Sequence, residues 1–274
     1  MRWIWALAAA FIAGPAAAAC NGAEGACTIS SGEYHIDLPA GDGPFPALVF
    51  LHGAGGKGES MVRMMGQALD RGYAVIGPQG LKRPDSRFSS SWSFFPGREK
   101  IRDEAAFLRE VIADASAKHR VDPDRILLGG FSIGGSMTTY LACEHPDLAK
   151  GFAPVAGGFW RPHPELDACA GPVDLFHTHG WTDGTVPLEG RPLRPGLTQG
   201  DIFYTMQVWR ETNGCNRLRA DRFEMDENWW RRAWDSCDRG SLELVLFPGG
   251  HGVPKGWANI ALDWFEALPP SPTQ

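Results

Sequence analysis

After its first nineteen residues, this chain of 274 contains no apolar run long enough to cross a bilayer, which would need about 20 such residues in a row. It also lacks a basic excess. With 26 Lys and Arg against 32 Asp and Glu, the net charge is −6, so there is no positive field to hold a phosphate backbone, and nucleic acid is not an expected partner. No pair among the six cysteines has CxxC spacing, which removes the redox and zinc motifs built on that spacing. No internal repeat and no low-complexity linker interrupts the chain, and one domain is the economical reading. What is present is ordinary globular composition, 43% hydrophobic and 21% charged, unlike that of a disordered chain or a coiled coil.

The stretch "MRWIWALAAAFIAGPAAAA", residues 1–19, has one positive charge at Arg2, an apolar core of about eleven residues, and small residues at its end. That order is expected of a cleaved export signal. It leaves residues 20–274 as a single mature unit, in the periplasm or outside the cell. Cys20 would then come first, which makes a lipid anchor at that residue a lesser alternative. An even number of cysteines in an exported chain implies disulfides, with neighbours in sequence the favoured partners.

Short apolar runs alternate with segments of helical period, the pattern of helices packed on a mostly parallel sheet. Strands are expected at 47–52, 73–78, 125–131, 151–157, 173–180 and 242–247. Continuous apolar runs of this kind suit strands buried on both faces. Helices are expected at 61–69, 103–119, 133–143, 202–211 and 257–268, the second carrying Phe107, Leu108, Val111, Ile112 and Ala115 on one face.

In "ILLGGFSIGGSM", residues 126–137, strand-forming residues give way to glycines around one serine and then to a helix. A G-x-S-x-G sequence between strand and helix is the nucleophile elbow, with Ser132 exposed on a sharp turn and Gly130 and Gly134 in places where side chains would clash. A serine hydroxyl needs a general base, itself oriented by an acid, and in this arrangement acid and base follow the serine in that order. His251, in the loop sequence "FPGGHG" after the last expected strand, is the candidate base. Asp183, in "WTDGTVP" after the strand "VDLFHTHG", is the candidate acid, although Asp-Gly is also a strong turn former. The Ile133 N–H and an N–H from the loop "LHGAGG", at Ala54 in preference to Gly53, are candidates for the oxyanion hole. A zinc hydrolase using His177, His179 and Asp183 is a rival reading.

The segments "LHGAGG", "VDPDRILLGGFSIGGSM", "LACEHPD", "APVAG", "HGWTDGTVP", "NGC" and "FPGGHG" together resemble the secreted bacterial esterases grouped as poly(3-hydroxybutyrate) depolymerases and feruloyl esterases, within the α/β-hydrolase superfamily. The likeness runs from about Tyr34 to Leu268. It implies an α/β-hydrolase fold, a Ser132-His251-Asp183 triad, no cofactor and no metal, and disulfides joining Cys143 to Cys169 and Cys215 to Cys237. One departure is "SSWSFF", where Ser91 stands in place of a cysteine common in the family.

Only about fifteen residues separate the fourth and fifth expected strands, so no large lid domain is expected and the cleft should be open. Trp92 and Trp181 are candidate substrate contacts, with Phe94, Phe95 and Trp160 near them. The expected partner is a small or oligomeric ester. A serine peptidase of the same fold and a non-catalytic binding protein on this scaffold remain the alternatives.

Overall fold

The computed structural model describes residues 20, 25–84, 86–216 and 218–269; the expected export signal at 1–19 lies outside them. Thirteen strands are formed among these residues: β1 (Cys27–Ile29), β2 (Gly32–Asp37), β3 (Phe45–Leu51), β4 (Ala74–Pro78), β5 (Val121–Phe131), β6 (Gly151–Val155), β7 (Trp160–Arg161), β8 (Leu175–Gly180), β9 (Pro192–Arg194), β10 (Leu197–Gln199), β11 (Arg222–Met225), β12 (Trp230–Trp234) and β13 (Leu242–Phe247). Five α-helices accompany them: α1 (Gly58–Met64), α2 (Glu104–His119), α3 (Ile133–Glu144), α4 (Ile202–Thr212) and α5 (Trp257–Glu266).

Ten strands make one sheet in the order β1-β2-β4-β3-β5-β6-β8-β13-β12-β11. Its centre, β4-β3-β5-β6-β8-β13, is parallel throughout and consists of the six runs expected from sequence. The central strands are buried on both faces because helices cover both. Phe107, Leu108 and Val111 of α2 join Met137 and Leu141 of α3 and Trp209 of α4 in one core. Met61 and Val62 of α1 and Trp257, Leu262 and Phe265 of α5 form the other. Burying each large apolar side chain contributes roughly 1.5–3 kcal/mol.

The helix boundaries follow local chemistry. Asp103 precedes α2 with extended backbone, and its carboxylate accepts from the Ala106 N–H at 3.0 Å, satisfying a donor that the first turn leaves unpaired. The helix expected at 61–69 divides: α1 stops at Met64, and a 3-10 turn continues from Gly66 to Arg71. Gly66 sits at the break, where a residue without a side chain weakens the α-helical continuation.

The sheet edges and the small sheet were not expected. β1, β2, β11 and β12 add antiparallel strands at both margins. A separate three-stranded antiparallel sheet, β7-β10-β9, stands beside the site described below, so the cleft is bordered rather than fully open.

Disulfides join Cys143 to Cys169 and Cys215 to Cys237, as the family resemblance implied, and Cys20 to Cys27. A lipid thioether at Cys20 would need the sulfur that Cys27 holds here. No helix among the described residues is long and apolar enough to cross a membrane.

Replacing Cys215 and Cys237 together by Ser opens a loop of 22 residues, and loop-closure entropy predicts a loss of about 3 kcal/mol. Urea unfolding of the double variant against the parent measures it as a lower midpoint, with a steeper slope as the unfolded chain expands.

Candidate active site

Ser132 stands between β5 and α3 with φ 59° and ψ −119°, a backbone conformation that L-residues other than glycine avoid and that persists only where packing enforces it. The enforcing contacts are close. A Cβ at Gly130 would sit 2.5 Å from the Gly134 carbonyl oxygen, and one at Gly134 would sit 2.4 Å from that of Leu51. The Ser132 N–H donates to the Val155 carbonyl at 2.9 Å, which pins the turn to β6.

Two further strand ends supply the partners. Just past β8, Asp183 uses both carboxylate oxygens. Oδ1 accepts from the Thr185 and Val186 N–H groups, each at 2.8 Å, and Oδ2 lies 2.7 Å from His251 Nδ1. Asp183 therefore closes a local turn with one oxygen and meets the histidine ring with the other. His251, past β13, brings Nε2 to 2.9 Å from Ser132 Oγ. Since a carboxylate only accepts, His251 Nδ1 is the donor, which leaves Nε2 facing the serine hydroxyl. Trp181 N–H to Phe247 carbonyl and Thr182 N–H to Gly249 carbonyl, both 2.9 Å, fasten the loops together. Burial by itself would raise the Asp183 carboxyl, but hydrogen bonds from His251 and the Val186 N–H hold it below the usual carboxylate range.

The loop from His52 to Gly56 runs along the other side of Ser132; a Cβ on Gly53 would lie 3.5 Å from Ser132 Cβ. His52 was not singled out from the sequence, yet it shapes this loop. Its Nδ1 donates to the Gly53 carbonyl at 2.7 Å and its Nε2 accepts from the Gly80 N–H at 2.9 Å, while burial lowers its pKa and keeps it neutral. Its position at a strand end in "LHGAGG" was the available signal. Ala54, Ser132 and Ile133 line one cavity of about 200 Å³, and neither the Ala54 nor the Ile133 N–H donates to a protein acceptor among the described residues.

Two expectations about tryptophan are revised. Trp92 does not face substrate: it is 0% exposed, and its Nε1 donates to the His52 carbonyl at 2.8 Å, so it supports the loop from behind. Its position in an irregular segment had concealed that burial. Trp181 is 54% exposed and meets the Trp230 ring at 5.8 Å, but it lines neither cavity beside Ser132. Phe95 and Trp160 do line the outer one, of about 480 Å³.

The zinc reading fails on donor chemistry. His179 Nε2 lies 2.8 Å from the Val186 carbonyl and must donate to it. Its Nδ1 then accepts from His177 Nε2 at 3.3 Å, leaving His179 no lone pair for a metal. Burial lowers the pKa of both rings, that of His177 well below its ordinary value, helped by its neighbour His179.

Residues 39–193 match the family model described as Phospholipase/Carboxylesterase. Over 242 residues the chain is 28% identical to feruloyl esterase B of Piromyces equi, covering 82% of this chain and 42% of that protein. It is 32% identical over 119 residues to poly(3-hydroxyalkanoate) depolymerase C of Paucimonas lemoignei, covering 42% of this chain and 28% of that protein. The chain thus spans less than half the length of these curated relatives. A solved structure of acetyl xylan esterase from Aspergillus awamori superimposes with a TM-score of 0.61 at 16% identity, over 85% of this chain and 93% of that one, and shares the α/β-hydrolase fold.

The buried histidines predict a pH effect. Their folded pKa values lie below the ordinary 6.5, so the unfolded chain binds protons that the folded one excludes. Stability is full above that value and falls as the pH drops below it, by about 1.4 kcal/mol per pH unit for each proton. Urea midpoints across this range measure the slope, and His177→Gln, which keeps a donor toward His179, reduces it by one proton.

Proposed function

The chain belongs to the phospholipase/carboxylesterase family, and on that footing we propose that it hydrolyses carboxylic esters through an acyl-enzyme on Ser132. The observation that carries the proposal is the unbroken chain of hydrogen bonds Ser132-His251-Asp183, 2.9 and 2.7 Å long, ending on a serine held in a strained turn.

Ser132 Oγ attacks the ester carbonyl as His251 Nε2 takes its proton. Asp183, anchored by two backbone donors, holds the ring and stabilises its charged form. The Ala54 and Ile133 N–H groups meet the oxygen on which charge develops, in a cavity where preorganised dipoles need no rearrangement. His251 returns the proton to the departing alcohol, and water repeats the cycle on the acyl group.

The substrate class proposed is a soluble or oligomeric ester of the kind that feruloyl esterases and polyhydroxyalkanoate depolymerases are named for. The single ten-stranded sheet supports reading residues 20–274 as one catalytic unit following a cleaved signal at 1–19. Three disulfides support export, since such bonds persist in oxidising compartments.

Ser132→Ala is expected to lower turnover of 4-nitrophenyl butyrate on the order of 10⁴-fold or more, and Asp183→Asn by about 10⁴. A fluorophosphonate should label Ser132 in the parent, and chelators should leave the rate unchanged. Near-parental turnover by Ser132→Ala would remove this serine from the reaction, and faster cleavage of the matched anilide would favour the peptidase reading.

A further inference from the structure

The chain is acidic, yet the walls beside Ser132 are not. Two cavities meet there, one of about 200 Å³ containing Ser132 and one of about 480 Å³ beyond it, sharing Arg87, Phe88, Ile133, Trp160 and Leu193. No Asp or Glu among the described residues lines either of them. Five arginines do: Arg191 on the inner cavity, Arg83, Arg98 and Arg194 on the outer, and Arg87 on both; of these Arg87, Arg191 and Arg194 are exposed. Arg71, Arg102, Arg222 and Arg231 each meet a carboxylate. Among the described residues, no ion pair joins Arg87, Arg191 or Arg194 to one. Arg191 Nε instead donates to the side-chain oxygen of the buried Gln199 at 3.3 Å, a residue that lines the inner cavity with it, and Arg87 lies 5.1 Å from the Phe88 ring centre.

Position relative to His251 tells which half of an ester these arginines meet. The alcohol must leave on the side of His251, which protonates it, and neither His251 nor Asp183 lines either cavity. Ala54 and Ile133 do line the inner one, so the cavities hold the acyl half.

We propose that this cleft selects acyl groups ending in a carboxylate, the half-esters of short dicarboxylic acids, whose free carboxylate is held by Arg87, Arg191 and Arg194. Guanidinium groups suit this task because their paired N–H donors match both oxygens of a carboxylate. The inference rests on the ester-hydrolase reading of Ser132. In the reaction, the Ser132 Oγ–acyl bond forms as the bond to the alcohol oxygen breaks, and the alcohol takes the proton from His251. Water then displaces Oγ, and the products are one alcohol and one dicarboxylate.

The test compares kcat/KM for 4-nitrophenyl hydrogen glutarate and 4-nitrophenyl valerate, which share a five-carbon acyl chain and differ in the terminal carboxylate. The glutarate ester is expected to be favoured by about tenfold at low salt, with the ratio shrinking as salt rises. Arg87→Gln, Arg191→Gln and Arg194→Gln should each lower the ratio, and the triple variant should bring it near one. A parental ratio at or below one, or a ratio that the triple variant leaves unchanged, overturns the inference and leaves the ester-hydrolase reading standing. Calorimetric binding of glutarate to Ser132→Ala separates the two. If the parent hydrolyses neither ester, salt-sensitive binding that is lost on adding the three Arg→Gln changes sustains the anionic cleft while the hydrolase reading falls, and absence of binding overturns both.

Discussion

The turn between β5 and α3 lies so close to the end of β3 that no Cβ fits at the glycines on either side of Ser132. The rest of the site depends on this contact. It brings the start of α3, the loop that follows β3, and Ser132 into one small volume, where the N–H groups of Ala54 and Ile133 face a common cavity. The strained backbone of Ser132 is stabilised from outside, by the ladder contacts of β5 with β3 and β6 and by the bond from the Ser132 N–H to Val155. The large parallel core thus offsets the strain of one residue.

The partners of Ser132 are placed by a different device. Two loops leave adjacent strands, β8 and β13, and are tied to each other by backbone hydrogen bonds before either reaches its functional side chain. Asp183 then serves at once as a local turn former and as a long-range acceptor. Behind it, neutral His177 and His179 pass a hydrogen bond along the strand to the Val186 carbonyl. Every polar atom in that series except His177 Nδ1 is partnered, which fixes the tautomers of these two rings.

The central sheet and the Ser132, Asp183 and His251 positions were legible in the sequence because each is local: an uninterrupted apolar run, a glycine-bracketed serine, or a polar residue in a loop just after a strand. The margins were not. β11 ("RFEM") is wholly exposed and β12 ("WRRAW") half so, and neither has the apolar continuity by which the buried strands announce themselves. The sheet β7-β10-β9 is assembled from segments of two or three residues, too short for any periodicity to register. Trp92 misled because an aromatic residue in an irregular stretch looks available, whereas its indole N–H is satisfied by a carbonyl that only the folded loop presents.

Helix α3 is fastened at both extremities, by the crowded turn at Ser132 and by the bond from Cys143 to Cys169 near its last residue. The helix is thereby restrained at its start and in its last turn. The segments carrying Arg87, Phe95, Leu193 and Arg194 belong to other parts of the chain and line the outer cavity with Ile133, the first residue of that helix. The rim of the cavity and the anchors of the helix are thus different parts of the chain, and a residue of the one can change without disturbing the other.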